Sequence, residues 1–504
     1  MRAFLMYRDR DIDATSALPA NEEALRQDLE LDTLLSAMAA GDQFLFDVSK
    51  KALLSSLAEE DEITYRQHVL ADCLDNPGVV RDIYDIAVEA ILGEKKVFFG
   101  LFRDSPETIL YRSNQVLEIF VAQLRKLRQL ADEHAPDFRS EGFTRFFEMV
   151  EKELSGEYFA EIEDHLKELA FKRGVLMSAG LGTGNKGFGY VLRRPREAGW
   201  KDRIPGVSRQ GYSFYVPDRD ESGARALSDL RSKGLNLVAN AAAQSTDHIL
   251  SFFTMLRAEL AFYLGCLNAR ERLSAKGEPT CFPVPAGRGE RALSATGLYD
   301  VCLTLTAQGR VVGNDVHADG KRLVMITGAN QGGKSTFLRS AGLAQLMAQC
   351  GMYAPAESLR ISICDGVFTH YKREEDAAMR SGKLDEELAR MSEITGVIKP
   401  GCVLLCNESF AATNEREGSQ IAREIVRALV EAGVRVFFVT HLYDLAHGFF
   451  AEGAATTLVL RAERLEDGRR TFRLVDGEPL PTSYGEDLYR RVFDGEAARG
   501  AGQQ

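Results

Sequence analysis

The segment 327–340, TGANQGGKSTFLRS, constrains this chain more than any other stretch. It follows the apolar run RLVMI and carries Gly328, four further residues, then Gly333, Lys334 and Ser335, the spacing of a loop that wraps backbone around phosphate. Glycines let successive N–H groups turn inward on phosphate oxygens, the lysine reaches the β and γ phosphates, and the serine hydroxyl is placed to hold Mg²⁺. Residues 323–326 read as the strand that delivers the loop, and FLRSAGLAQLMAQCG, closed by Gly351, as the helix that leaves it. Strand, loop and helix stand in the order a nucleotide site needs. A glycine-rich turn without nucleotide is the other reading.

A length of 504 residues is too great for one ordinary core, so two or more domains are expected. With 45% hydrophobic and 27% charged residues the composition is that of a globular chain. No uncharged apolar run reaches the roughly eighteen residues of a membrane span, and the start MRAFLMYRDRDID is charged where a leader needs an apolar core. A cytoplasmic protein without a membrane partner is expected. Cys402 and Cys406 lie in the apolar run CVLLC, which reads as a buried strand with reduced thiols rather than a zinc site. The net charge of −12 speaks against a generally basic nucleic-acid coat and leaves room for a local basic surface.

Residues 1–170 are dominated by helical periodicity. SPETILYRSNQVLEIFVAQLRKLRQLADEH has Ser105 and Glu107 near its start and Ile109, Leu110, Val116, Ile119, Phe120, Leu124 and Leu127 along one stripe. A second helical pattern, from about 141 to 171, breaks at Ser155-Gly156. From Val175 glycine clusters and short β-rich runs take over, and residues 171–220 read as a small β insertion. Helix returns over 221–285, where Ile249, Phe252, Phe253, Leu256, Leu260, Tyr263, Leu264 and Leu267 form an apolar face. KGEPTCFPVPAGRG marks the boundary to a nucleotide domain over 286–494, and 495–504 reads as a flexible tail.

Within the insertion, Lys186, Arg193, Arg194, Arg196, Lys201, Arg203 and Arg209 face only Glu197 and Asp202 in sequence. Two readings stand: a surface that touches DNA phosphates without reading sequence, or a solvated loop. Trp200 and Tyr212 can stack on bases or fill a local core.

Beyond the loop, GCVLLCNES offers a strand over 403–406 that ends in Asn407 and Glu408. A carboxylate at that exit can polarise water for attack on a γ phosphate, which makes Glu408 the general-base candidate. VRVFFVTHLYDLA repeats the design: a strand over 434–439 brings Thr440 and His441 to the same edge of a parallel sheet, where His441 can sense the γ phosphate or position the water.

With these residues in order, the C-terminal half resembles the ATPase domain of MutS-family mismatch-repair proteins. GANQGGKSTFLR resembles the family's phosphate loop, and DGVFTHYKREEDAAMRSGK the approach to its signature motif. NESFAATNEREG is similar to the acidic strand end and following D-loop, with Glu408, Thr413 and Gly418 retained. THLYDLA is similar to the histidine switch, VGND at 312–315 to the approach to the first strand, and SYG at 483–485 to the closing helix. The likeness is close over 298–492 and looser before it, where helix, β insertion and helix resemble the family's lever and clamp.

The resemblance implies a multidomain fold: an α-helical lever domain with a small β-rich clamp insertion, then an α/β ABC-type P-loop ATPase domain. It implies ATP and Mg²⁺ as cofactors, with Gly328, Ala329, Asn330, Gln331, Gly332, Gly333, Lys334, Ser335 and Thr336 around the nucleotide. Ser335 and Asn407 would serve the metal, Lys334, Glu408 and His441 catalysis, and Ser381-Gly382 would be the signature offered to ATP on a partner. It further implies a homodimer that closes as a clamp on double-stranded DNA, mismatched or branched, in mismatch repair or recombination control. A nucleoid-associated place in the cytoplasm and a downstream repair partner go with it. An ATP-binding DNA scaffold with little hydrolysis is the alternative.

Three departures matter. Asn407 stands where the family has aspartate, and an amide accepts a hydrogen bond from a metal-bound water but adds no charge. The segment SGKLDEEL is shorter than the family's signature and lacks its Ser-Thr-Phe. The chain starts in helical material, so a mismatch-reading N-terminal domain is expected to be missing; Phe146-Phe147-Glu148 fits the family's mismatch wedge but lies in an amphipathic helix, which reads as coincidence.

Overall fold

The computed structural model describes residues 1–13, 16–97, 105–172, 174–194, 213–373 and 382–481. The chain divides into two compact units, Met1–Ala3 with Gly78–Phe138 and Phe143–Arg257, and Phe4–Pro77 with Arg139–Gly142 and Ala258–Gln504. A sequence boundary at 170 puts the first helices with the helical part; in the structure Phe4–Pro77 shares a unit with the nucleotide-loop sheet.

The first unit is helical. α5 (Pro77–Lys96) and α6 (Pro106–His134) are followed by α7 (Glu141–Glu153) and α8 (Gly156–Leu169). The start of α6 is set by Ser105, whose hydroxyl accepts from the Thr108 amide with Pro106 behind it, a cap worth about 1 kcal/mol. The break between α7 and α8 has the same cause: Ser155 caps α8 through the Tyr158 amide. Phe146 and Phe147 are 1% and 2% exposed, packed against Phe138 and Phe143, so both aromatic rings of the wedge-like triplet are core while Glu148 is exposed. β1 (Met177–Leu181) and β2 (Gly187–Leu192) pair as an antiparallel hairpin with a bulge between Ser178 and Gly180. Then α9 (Glu221–Ala275) runs for 55 residues, counted with the first unit as far as Arg257 and with the second from Ala258. The expected face of α9 is real: Ile249, Phe252, Phe253, Leu256, Leu260, Tyr263, Leu264 and Leu267 are all buried. One window of α9 is long and apolar enough to cross a membrane, and 72% of it is buried inside the protein, as in a core helix.

In the second unit α1 (Glu22–Asp28), α2 (Leu31–Ala39), α3 (Gln43–Leu54) and α4 (Glu60–Asp75) accompany two sheets. The larger sheet has the order β12-β11-β6-β10-β9-β8. Its strands are β6 (Leu323–Gly328), β8 (Val367–Tyr371), β9 (Val403–Asn407), β10 (Arg435–Val439), β11 (Thr457–Arg464) and β12 (Arg470–Asp476), parallel except for β12. Both faces are covered, and β10 accordingly reads RVFFV and is buried throughout. One face carries α12 (Lys383–Val397), α13 (Glu415–Glu431) and α14 (Tyr443–Ala451), through Met391, Ala422, Val426, Leu429 and Leu445. A second sheet joins β3 (Val284–Ala286), β7 (Ser358–Ser362), β4 (Leu293–Leu298) and β5 (Asn314–His317) in that order.

The early helices are tied to α11 (Lys334–Gln349), the helix after the phosphate loop. The Leu57 amide donates to the Gln349 carbonyl at 2.9 Å, and the Gln349 side-chain amide returns a bond to the Leu57 carbonyl at 3.0 Å. Arg66, fully buried, donates to the carbonyls of Met6 and Cys350, and Arg339 of α11 pairs with Glu30 and with buried Asp300. The carboxylate of Glu259 accepts from the amides of Met6 at 2.6 Å and Ile12 at 2.5 Å. These bonds favour its charged form, but burial outweighs them and pushes the carboxyl from 4.5 up to about 7. The folded value lies above the unfolded one, so the stability Glu259 contributes is whole below pH 4.5 and is lost as pH rises through about 7. By linkage this amounts to about 3 kcal/mol. A melting series across that window is expected to show a fall in Tm that Glu259→Gln removes; an unchanged slope in the variant would assign the fall elsewhere.

Candidate functional site

Register brings the expected residues together. Val439 of β10 pairs with Ile326 of β6 on one side and Asn407 of β9 on the other. The three strands therefore end at one level, with neighbouring exits about 5 Å apart. Each exit is locked to the next: the Thr440 amide donates to the Ile326 carbonyl at 3.0 Å and the Glu408 amide to the Val439 carbonyl at 2.9 Å. The phosphate loop, Glu408 and Thr440-His441 thus share one edge, as the spacing of the three motifs implied.

The loop has left-handed backbone at Gly328, Gln331 and Gly333 (φ 106°, 59° and 90°) and enters α11 at Lys334. Gly332 is demanded by packing, because a Cβ there would lie 2.7 Å from that of Ala462 and 2.8 Å from the Ala329 carbonyl oxygen. The antiparallel pair β11–β12 thus lies against the loop, with the Phe472 carbonyl 3.3 Å from where a Gly333 Cβ would stand. Asn314 of VGND holds β12: its amide donates to the Phe472 carbonyl and its oxygen accepts from the Leu474 amide. Asn314, Ala462 and Phe472 belong to the site's frame, and only Asn314 had a sequence signal.

Lys334 is 5% exposed and its ammonium donates to the carbonyls of Gly328 and Ala329 at 2.9 and 3.0 Å. Burial pushes its pKa down, Glu408 pulls it up, and Arg470 of β12 adds to the lowering. Glu408 and Arg470 are therefore both electrostatic neighbours of the lysine. The Ser335 hydroxyl donates to Asn407 Oδ1 at 2.9 Å, so the two metal candidates touch. A polar cavity of about 790 Å³ opens beside them, lined among others by Thr336, Arg339, Lys372 and Arg373. Oxygen donors, a buried ammonium and the N-terminus of a 16-residue helix suit a nucleotide polyphosphate with a hard cation.

Thr440 is buried and its hydroxyl accepts from the Leu442 amide at 3.0 Å, which leaves His441 exposed beside Thr327 and Gly328 in one small cleft. Gly382 caps α12 by its backbone; Ser381 lies outside the described residues. In the first unit, Lys186 is exposed at the start of β2, Arg193 donates to the Ser178 hydroxyl at 2.8 Å, and Arg194 pairs with Glu168. Arg196, Lys201, Arg203 and Arg209, with Trp200 and Tyr212, lie outside the described residues, as does SYG at 483–485. Phe188, Phe214 and Tyr215 are exposed in the same region. Cys402 and Cys406 are buried free thiols, and burial raises Cys406 to about 12.

Comparison with known proteins agrees with this layout. Residues 58–276 match the MutS2 N-terminal domain and residues 324–490 match MutS domain V. Three proteins called DNA mismatch repair protein MutS illustrate the likeness. That of Chloroflexus aurantiacus is 27% identical over 56% of this chain and 30% of its own length. That of Thermotoga neapolitana is 34% identical over 38% of this chain and 24% of its own length. That of Clostridium kluyveri is 24% identical over 76% of this chain and 40% of its own length. The chain thus spans less than half the length of these relatives. With both family models matched in chain order, and the second laid over the sheet that carries the loop, Glu408 and His441, the chain belongs to the MutS family.

Proposed function

We propose that this chain is a MutS-like DNA-binding ATPase: a homodimer that closes as an ATP-gated clamp on double-stranded DNA in mismatch repair or a related repair or recombination process. The observation that supports the reading is the common edge of β6, β9 and β10, to which Lys334, Ser335, Asn407, Glu408 and His441 are all brought. The loop and the α11 N-terminus bind the phosphates, and Lys334 steadies the charge that develops on them. Ser335 and Asn407 would hold Mg²⁺, which would supply charge neutralisation at the phosphates. Glu408 takes the proton of the attacking water, and His441 senses the γ phosphate. Ser381-Gly382 reach ATP on the partner subunit, so each site is composite. Lever helices from the N-terminal half, with a clamp insertion over 171–220 that contacts DNA through Lys186 to Arg203, answer the ATP state because ATP favours one clamp state over the other. The protein works in the cytoplasm on the nucleoid, and a downstream repair protein reads its closed form.

Steady-state hydrolysis with Mg²⁺, alone and with homoduplex, mismatched or branched DNA, tests the proposal. Stimulation by DNA supports it, and the most effective DNA identifies the substrate; turnover indifferent to every DNA would remove the coupling.

Asn407 favours a second reading, an ATP-binding DNA scaffold that changes shape with little turnover. Asn407→Asp keeps the acceptor for Ser335 and adds a charge beside the cation, so the apparent Mg²⁺ affinity is expected to rise about tenfold. Turnover missing in the wild type and present in Asn407→Asp would favour the scaffold. Equal Mg²⁺ dependence in the two proteins would take Asn407 out of the metal site.

A further inference from the structure

We propose that His370 and Glu387 are positioning residues for Glu408: they clasp the turn that carries it to α12, so that displacement of α12 is passed to the base. The inference deepens the ATPase reading above and rests on it.

The turn after β9 is an unfavourable one. Glu408 and Phe410 both have left-handed backbone, φ 54° and 63°, a region that residues with a Cβ seldom occupy unless their surroundings impose it. One restraint is the bond from the Glu408 amide to β10. The others converge from β8 and α12. The Phe410 amide donates to Glu387 Oε2 at 2.7 Å, and the Phe410 ring stacks on the His370 imidazole, centroids 5.5 Å apart at 23°. The Ser409 hydroxyl lies 2.7 Å from His370 Nδ1 and 2.9 Å from the His370 carbonyl. His370 Nε2 lies 3.0 Å from the Glu387 carbonyl.

Proton placement makes the set directional. Burial, with Arg390 as the next cause, pushes the His370 imidazole down to about 4, so the ring is neutral and carries one N–H. A carbonyl can only accept, which places that proton on Nε2 facing Glu387. Nδ1 is then an acceptor, and the single Ser409 proton is shared between Nδ1 and the His370 carbonyl. Glu387 therefore holds the turn twice, by its carboxylate on the Phe410 amide and by its carbonyl through His370 and Ser409. His370 and Ser409 are fully buried and Glu387 is 5% exposed, so no bulk water competes for these bonds.

The place of Glu387 gives the clasp its consequence. Gly382 is the N-cap of α12 and Glu387 lies five residues on, in the second turn. A helix is stiff over that distance, so a force on its Gly382 end displaces both bonds to the turn. A partner's ATP that engages this end sets the orientation of Glu408 in the same subunit, which links the two sites of a dimer.

Glu387→Ala, Glu387→Gln and Ser409→Ala in the full chain test the proposal by ATP binding, turnover and amide exchange of the peptide over 405–412. Glu387→Ala is expected to leave ATP affinity and KM within about twofold. It lowers kcat by roughly tenfold or more, the scale of a displaced catalytic group, and speeds exchange at 408–410. Glu387→Gln keeps an acceptor for the Phe410 amide and restores both readouts. Ser409→Ala cuts only the His370 branch and falls between them; if Glu387→Ala does not fold, this variant and Glu387→Gln carry the comparison. Unchanged kcat and exchange in the variants would overturn the clasp, as would parallel loss of affinity and turnover. A wild type that never hydrolyses ATP would sink the ATPase reading instead. Exchange at 408–410 would still decide the clasp, with unchanged rates in Glu387→Ala or Ser409→Ala overturning it.

Discussion

Lys334→Ala is expected to weaken ATP binding by at least ~100-fold, since it deletes charge-assisted bonds to two phosphates, each worth about 1.5–3 kcal/mol in a buried setting. The fold should survive. The side chain is a buried cation whose pKa burial has lowered, so its removal relieves a desolvation cost while leaving the Gly328 and Ala329 carbonyls short of one donor. Those two effects oppose one another, and the melting temperature of the variant should stay near that of the wild type. Calorimetric titration with ATP and Mg²⁺ on both proteins is the measurement. Equal affinity would mean that the loop does not hold the triphosphate, and the ATPase reading would fall with it.

Glu408→Gln is expected to divide binding from chemistry. The change is isosteric, keeps the amide bond to Val439 and leaves the left-handed turn as it is. ATP affinity should hold or rise slightly, because a carboxylate that opposes phosphate is gone. Turnover should fall by roughly 10²–10⁴, the scale of a lost general base. The trapped ATP state should be the closed dimer, visible as a smaller radius of gyration in small-angle X-ray scattering with ATP and Mg²⁺ than with ADP. Undiminished turnover would move the base to another group, with His441 at the adjoining strand exit the first to test.

The parts of the site that were legible in the sequence are those that depend on local chain chemistry. The loop is a run of special backbone positions, so its glycines mark it. The strands on either side are unbroken apolar runs because a doubly covered parallel sheet permits nothing else, and 403–406 and 434–439 correspond to β9 and β10 within a residue. Ser105 marked a helix start, and the break at Ser155-Gly156 is the start of α8, for the same local reason. What stayed hidden depends on pairs distant in the chain. Nothing in EEALRQD or in QFLFDVSKKALL says that the first will meet β8 and the second α11, because an amphipathic helix declares that it has a buried face but not what covers it. Ala462 and Phe472 are ordinary strand residues until β12 folds back on β11 beside the loop. His370 reads as one histidine in an apolar strand, and only the meeting of β8, β9 and α12 gives it Ser409 and Glu387 as partners.

The make-up of the second unit has a consequence for biosynthesis. Phe4–Pro77 is made well before the chain that completes its unit, which begins at Ala258, after nearly the whole of the first unit. At roughly 5–20 residues per second that interval is on the order of ten seconds or more. During it, Leu29, which lies against Gly342 of α11 in the finished protein, and buried neighbours such as Leu31 and Leu34 lack the rest of their unit. The nascent amino-terminal helices are therefore a client for a holding chaperone, and a fragment beginning at Ala258 would expose the complementary surface on α11.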